Sequence, residues 1–197
     1  MSQIPELMGG RSLSHPLPLS VGAGKKMYVG GQANADVAAG TTTATSSAEN
    51  KTAQYTIPAN TLVAGSTIRC RWVTATSAVA GGTDNLTVRL RFGSNGTTMT
   101  SDTECAVSTA VDQDNTSHFS VGDMIIQIRS ATKAVAFGTI SDSDVIGSKL
   151  VSAQFEPEFT IDTTVDNYVS VSTEFGNANA NLAATQGFVV DIVNPGV

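Results

Sequence analysis

The sequence predicts an all-β protein built from antiparallel strands: a sandwich, a jelly roll or a barrel. The composition supports this, with 18 Gly and about 25 Thr, a residue whose branched β-carbon favours pleated strands. Apolar and polar residues alternate over several segments, which is the period of a half-buried strand. No segment of ten or more residues shows a convincing helical stripe. Parallel sheets are therefore excluded, because their crossover connections are usually helices.

The first fifty residues differ in composition from the rest. Residues 1–24 contain Pro5, Pro16 and Pro18 together with four glycines, so they predict an extended arm. A short strand is expected at residues 26–30. Residues 30–50 are mostly Gly, Ala, Thr and Ser, and predict a surface loop. We therefore divide the chain into an N-terminal arm and low-complexity loop, residues 1–50, and a β-domain, residues 51–197.

Two strands are predicted most clearly. Residues 67–76 place Ile68, Cys70, Trp72 and Thr74 on one face, and residues 85–93 place Leu86, Val88, Leu90 and Phe92 inward. Trp72 and Phe92 are thus expected in the core. Similar patterns give about ten or eleven strands in all, the others being residues 53–57, 104–110, 118–121, 124–130, 134–140, 150–155, 158–162, 168–175 and 187–193.

Turn signals separate these segments at the spacing typical of sandwiches. Glycine-containing turns are expected at residues 63–66, 80–84, 94–96 and 121–123.

Charge and hydropathy exclude two classes of protein. The chain has 17 acidic and 11 basic residues, a net charge of −6, and lacks the basic field that direct nucleic-acid binding requires. No apolar run of about 18 residues is present, so no membrane span is expected. The N-terminus has no secretory signal pattern, which predicts a protein made in the cytoplasm.

No motif for catalysis, cofactor binding or metal binding stands out. His15 and His118 are far apart, and the GAGKK run at residues 22–26 lacks the first glycine and the hydroxyl of a phosphate loop. The acidic groups at residues 112–114, 142–144 and 156–158 are interpreted as solvated turns, since none completes a calcium loop. Cys70 and Cys105 are interpreted as small buried apolar residues. The sequence therefore predicts a protein that is not an enzyme and holds no cofactor.

Four arginines occupy the outward positions of the two clearest strands. If these strands pair, Arg69, Arg71, Arg89 and Arg91 form a basic ladder suited to an acidic protein surface. The alternative is an ordinary solvated strand face.

The segment at residues 56–93 contains an "IPANTL" turn, an "AGSTIRCRW" strand and an "NLTVRLRFG" strand, and it resembles the jelly-roll virion proteins of tailed bacteriophages. These include head decoration or cement proteins and modules of tail and fibre proteins. The "IIQIRSATKAVAFGTI" strand pair resembles the same module. The resemblance implies a jelly-roll sandwich and homotrimers on the capsid exterior that clamp adjacent major capsid proteins.

We therefore expect a structural virion protein that decorates and stabilises a phage head shell. In this hypothesis residues 1–50 dock on the shell while the β-domain trimerises. The candidate contacts are His15, Pro16, Pro18, Lys25, Lys26, Arg69, Arg71, Arg89 and Arg91. Two alternatives remain: a tail-fibre or receptor-binding module that recognises carbohydrate, and a glycan hydrolase using a carboxylate pair such as Glu156 and Glu158.

Overall fold

A computed structural model describes residues 19–20, 26–28, 42–43, 48–77, 85–108, 111–112, 119–142, 149–176 and 182–195. These residues form thirteen strands and one turn of 3-10 helix, Met99–Ser101. The strands are β1 Leu19–Ser20, β2 Lys26–Tyr28, β3 Thr42–Thr43, β4 Asn50–Ile57, β5 Thr67–Ser77, β6 Asn85–Gly93, β7 Thr103–Val107, β8 Val111–Asp112, β9 Phe119–Ser130, β10 Lys133–Asp142, β11 Lys149–Thr160, β12 Asn167–Phe175 and β13 Leu182–Asn194.

The strands form two antiparallel sheets that pack against each other, so the predicted all-β sandwich is confirmed. Sheet A has the order β1-β2-β13-β5-β9-β10-β11, with β3 also paired to β13. Sheet B has the order β4-β12-β6-β7, with β8 also paired to β6. Both sheets have one apolar face turned toward the other, as the period of two in the sequence requires.

The core lies between the sheets and is made by the inward positions of the strands. All eight side chains predicted to point inward from β5 and β6 are buried. Trp72 and Phe188 contribute the largest side chains from sheet A, and Phe92 and Phe175 contribute those from sheet B. Phe92 also packs edge-to-face against Phe159 of β11, with ring centroids 6.3 Å apart.

Threonine hydroxyls link the two sheets inside this core. Thr52 of β4 and Thr185 of β13 are hydrogen-bonded at 2.7 Å, and Thr74 of β5 lies 3.3 Å from the same Thr185 oxygen. Thr52 also donates to the backbone oxygen of Val171 in β12. A buried hydroxyl without a partner would cost stability, so these contacts explain how threonine is accommodated in the core.

The turn expected at residues 121–123 is wrong, because these residues lie inside β9. Gly122 stands opposite Trp72 of β5, and a β-carbon at Gly122 would lie only 2.1 Å from Cζ2 of the indole. The glycine is therefore needed to make room for the tryptophan within a continuous strand.

The solvated turn expected at residues 156–158 is also wrong, because these residues lie inside β11. This strand is the edge of sheet A, where proline is tolerated because no neighbour needs its missing N–H. Pro157 and Glu158 together stand opposite the single residue Val135, which makes a β-bulge. The turns at residues 63–66 and 94–96 are confirmed, and the one at residues 80–84 lies outside the described residues.

Short N-terminal strands extend sheet A beyond β13. The strand expected at residues 26–30 is confirmed as β2, which pairs with β13 through Met27 and Val193. β3 lies in the region that we expected to be loop only, and it pairs with the other end of β13. The division of the chain at residue 50 stays a prediction. In the described part of the chain, no helix has the length and apolar character needed to cross a membrane.

Candidate functional site

The outward face of sheet A carries an unusual concentration of apolar side chains. The described residues include seven exposed large apolar side chains, and five of these lie on this face: Val73, Phe119, Val121, Phe137 and Phe155. We call the outward-pointing residues of β5, β9, β10 and β11 the outer A face. Its apolar content is its most distinctive feature, because exposed apolar residues are normally scattered singly.

The strand register brings these side chains together in two groups. Phe137 of β10 stands directly opposite Ile125 of β9 on one side and Phe155 of β11 on the other. Phe155 is 71% exposed and Phe137 is 40% exposed. The second group lies toward the other end of the strands, where Val73 is opposite Val121 and Ala75 is opposite Phe119.

Two arginines near the centre of the outer A face are paired with carboxylates. Arg69 makes a two-point contact with the carboxylate of Asp123, including Nε to Oδ1 at 2.9 Å. Arg71 Nη2 lies 3.2 Å from Asp191 Oδ2 on the neighbouring strand β13. The hydrogen bond from Arg69 lowers the pKa of Asp123, although partial burial opposes the shift. These two arginines thus leave no net positive charge on this part of the surface.

Arg89 and Arg91 lie on the outward face of sheet B, in an ion-pair network. Arg91 holds Glu49 through Nε to Oε1 at 2.6 Å and Nη2 to Oε2 at 2.7 Å. Arg89 contacts Glu104 at 3.0 Å and Glu174 at 2.6 Å. The pair between Arg91 and Glu49 is largely buried, with side-chain exposures of 11% and 10%.

The basic ladder proposed from the sequence is therefore wrong. β5 pairs only with β9 and β13 among the described strands, and β6 belongs to the other sheet, so the four arginines lie on opposite outer surfaces. Each arginine also has at least one carboxylate partner. Their role as contacts to another protein stays a prediction, but a shared basic surface cannot be the mechanism.

The candidate contacts in the arm are only partly placed by the structure. Lys26 begins β2 and stands between Ser20 of β1 and Asn194 of β13. His15, Pro16, Pro18 and Lys25 lie outside the described residues, as does His118. Their assignment stays a prediction.

The residues considered for chemistry are in ordinary structural surroundings. Cys70 and Cys105 are free and buried, which confirms their interpretation as apolar core residues, and burial raises the pKa of both thiols. Glu156 and Glu158 flank Pro157 on edge strand β11, and Glu158 lies 3.7 Å from Lys133. Among the described residues, no group of three or more His, Cys, Asp or Glu side chains is arranged to hold a metal ion.

Comparisons of the chain with protein-family models, with curated proteins and with solved structures found no match.

Sequence reasoning missed the outer A face because both faces of β9 and β10 carry apolar residues. In the segment AVAFGTI, Ala134, Ala136 and Ile140 point inward, which leaves Phe137 pointing outward. Strict application of the period of two would have revealed this. A phenylalanine whose neighbours on either side along the sequence face the core must face away from it.

Proposed function

We propose that this chain is a structural subunit of a tailed-bacteriophage particle, a decoration or cement protein of the head shell that acts by binding. The observation that carries the proposal is the apolar outer A face. The largest exposed apolar patch of a protein is often an interaction site, and a subunit that is covered in an assembly carries such a patch on its contact face. The low content of charged residues, 14%, favours the same conclusion.

The strand order supports the jelly-roll part of this proposal. The chain passes from β2 in sheet A to β4 in sheet B, back to β5 and then to β6 and β7 in sheet B. It continues to β9 in sheet A, to β12 in sheet B and to β13 in sheet A. Without β1, β3, β8 and the β10–β11 hairpin, the sheets have the orders β2-β13-β5-β9 and β4-β12-β6-β7. These orders support a jelly roll, a fold found in viral capsid domains.

The occupant of the outer A face in this proposal is a second copy of the same chain. Because Arg69 and Arg71 are paired with Asp123 and Asp191, two such faces meet without a large charge repulsion, although each chain carries a net charge of −6. An acidic shell surface would instead favour free arginines. The outer A faces of three copies therefore meet around a threefold axis, where each face contacts both neighbours, and attachment to the shell uses another part of the chain.

The size of the face is sufficient for self-association. Four strands spaced about 4.8 Å apart span roughly 19 Å, and eight residues along β9 span about 26 Å. The face is thus roughly 500 Å² per subunit, so three copies that meet on it bury about 1,500 Å² in all, within the range of specific assemblies. We assign the assembly as a homotrimer, as the resemblance to phage decoration proteins implies.

The shell-binding part of the proposal rests on residues 1–50, apart from β1, β2 and β3, which pair within sheet A. An extended arm can wrap a neighbouring major capsid protein and so increase the interface without enlarging the domain. The arm includes the candidate contacts His15, Pro16, Pro18, Lys25 and Lys26.

Sedimentation with phage heads that lack their decoration protein tests this function. The full chain is expected to co-sediment with the heads and to raise the temperature at which they open. A chain lacking residues 1–24 is expected to remain folded, as measured by circular dichroism, and to lose its binding to the heads. A peptide of residues 1–24 should compete with the full chain, even if the truncated chain does not fold.

Two results would overturn the proposal. If the full chain stays in the supernatant and leaves head stability unchanged, the protein is not a decoration subunit. If the folded, truncated chain binds as well as the full chain and the peptide does not compete, the arm is not the attachment site.

A further inference from the structure

A polar cleft of about 460 Å³ lies on the outer surface of sheet B. The loop of residues 94–98, which follows β6, forms one side. Gln54 of β4 and Tyr168 of β12 form the other. Its volume falls within the range of small-molecule sites.

The loop that forms the cleft is fixed in position by hydrogen bonds. Lys51 Nζ and Gln54 Nε2 both donate to the backbone oxygen of Gly96, at 2.6 and 2.9 Å. Asn95 donates through its backbone and its side chain to Asp102 Oδ1, at 3.0 and 3.1 Å. Asp102 is itself buried, so the anchor is rigid. A ligand would therefore meet a site that is already organised and would lose little entropy by ordering it.

Gly96 also fixes the ring of Tyr168. A β-carbon at Gly96 would lie 2.6 Å from Cε1 and Cζ of the tyrosine, so the backbone of the loop packs directly on the ring. Only glycine allows this close approach. The half-buried ring is consequently held as one wall of the cleft.

Four of the residues that line the cleft carry hydroxyl groups. Ser94, Thr97 and Thr98 are exposed loop residues, and Tyr168 adds a phenol group. Within the described residues, none of these four side-chain oxygens hydrogen-bonds to another protein group. Each hydroxyl can both donate and accept, so the cleft offers hydrogen-bonding capacity that the fold does not use.

The lining of the cleft is uncharged. All of its lining residues are neutral, and the nearby ammonium group of Lys51 is engaged by Gly96 and by Gln54 Oε1 at 3.0 Å. Recognition of a phosphate or carboxylate would favour an available arginine or lysine. A neutral ligand with many hydroxyl groups matches the site better, and the aromatic ring can cover the apolar C–H surface of such a ligand.

We propose that this cleft binds a neutral saccharide unit, with its hydroxyls paired to Ser94, Thr97, Thr98 and Tyr168. The inference does not depend on the proposed role at the phage head. The site is open and polar, so a dissociation constant of about 1 mM for a single sugar unit is expected, and several copies in one assembly would bind a surface glycan more tightly.

Saturation-transfer NMR of the full chain with a panel of sugars tests the proposal. The panel contains glucose, galactose, mannose and N-acetylglucosamine as neutral sugars, with glucuronic acid and glucose 6-phosphate as charged comparisons. At about 10 mM sugar, a site with a dissociation constant of about 1 mM is roughly nine-tenths occupied. We expect transfer to at least one neutral sugar and weaker transfer to its charged counterpart.

Two variants locate the binding in the cleft. Tyr168→Ala removes the ring and is expected to weaken binding at least about tenfold, a loss consistent with removing one ring contact and one hydrogen bond. Thr97→Ala changes one exposed hydroxyl without disturbing the fold, and a severalfold weakening is expected. Thr132→Ala, which removes another exposed threonine hydroxyl in the turn between β9 and β10, is the matched control and should leave binding unchanged.

The proposal is overturned if no neutral sugar shows transfer at this concentration, or if only the charged sugars do. It is also overturned if folded Thr97→Ala and Tyr168→Ala proteins both bind as the unmodified chain does. The sugar site and the proposed role at the head fail independently. A variant that loses sugar binding but still binds phage heads, or one that loses head binding but still binds sugar, shows this.

Discussion

Arg91 and Glu49 form a two-point ion pair on the outward face of sheet B, in surroundings that exclude most of the solvent. Both bonds are short, at 2.6 and 2.7 Å, and Ser172 donates a further hydrogen bond to the same carboxylate. Arg91 Nη1 also donates to the backbone oxygen of Asp102 at 3.0 Å. Arg91, which the sequence predicted as a contact for a partner protein, thus makes its main contacts within its own chain.

The first prediction is that Arg91→Ala destabilises the protein. Removing one member of a largely buried pair leaves an uncompensated carboxylate, and we expect a loss of about 2–4 kcal/mol in the free energy of unfolding. Arg71→Ala is the control, because Arg71 is 51% exposed and its pair with Asp191 is worth less than about 1 kcal/mol. Urea unfolding measures both. Equal losses in the two variants would contradict the burial of Arg91.

The second prediction concerns acid. Burial raises the pKa of Glu49, but hydrogen bonds from Arg91 and Ser172 and the nearby positive charges lower it by more, so the net pKa is below 4.5. A carboxyl with a depressed folded pKa stabilises the protein at a pH above its unfolded pKa, and this contribution is lost as pH falls through the folded pKa. Stability should therefore decline as the pH falls below about 4.5.

Glu49→Gln is expected to reduce this decline, because it removes the titrating group. Glu158→Gln is the control, since Glu158 is exposed and only loosely paired with Lys133. The measurement is the free energy of unfolding in urea at pH values between 3 and 7. An unchanged pH profile in Glu49→Gln would show that Glu49 does not contribute.

The third prediction is that Gly122→Ala strongly destabilises the fold. The new methyl group would lie 2.1 Å from the indole of Trp72 in a fully buried site, and overpacking of this kind costs about 1–3 kcal/mol or more. Gly187→Ala in β13 is the matched control, because nothing lies within 4 Å of the position its β-carbon would occupy. Thermal unfolding of both variants should show a large drop for the first only. A similar melting temperature for the two would contradict the position of Trp72.

The fourth prediction is that Cys70 and Cys105 do not react with thiol reagents in the folded protein. Both are buried, and burial raises the pKa of each thiol, so the reactive thiolate is scarce as well as inaccessible. Mass spectrometry after treatment with iodoacetamide should show no modification in buffer and two modifications in urea. Rapid modification of either residue in buffer would contradict the packing of the core.

The alternation of apolar and polar residues along the sequence was sufficient to predict most strands, including the inward faces of β5 and β6. The wrong predictions were turns assigned from a glycine or a proline, because a contact with a distant residue sets the role of each. Gly122 and Pro157 both look like turn residues locally, yet the glycine serves the packing of Trp72 and the proline is placed in an edge strand beside a bulge. Neither partner is visible in the local sequence.

The candidate surfaces were harder to predict, because they depend on which strands pair. Ile125, Phe137 and Phe155 form one row only because β9, β10 and β11 are neighbours in a particular register. In the same way, Arg69 and Arg89 looked equivalent until their strands were assigned to different sheets. Long-range pairing decides both outcomes, and alternation within a strand does not encode it.

The measurement that tests the central claim most directly is the solution mass of the full chain by light scattering, together with face variants. Three chains of 20.3 kDa give an expected mass of about 61 kDa. The double variant Phe137→Ser, Phe155→Ser should reduce the mass to that of a folded monomer. Val165→Ser is the matched control, because Val165 is as exposed as Phe137 but lies in the connection between β11 and β12. A monomeric full chain, or a trimer that persists in the double variant, would contradict self-association through the outer A face.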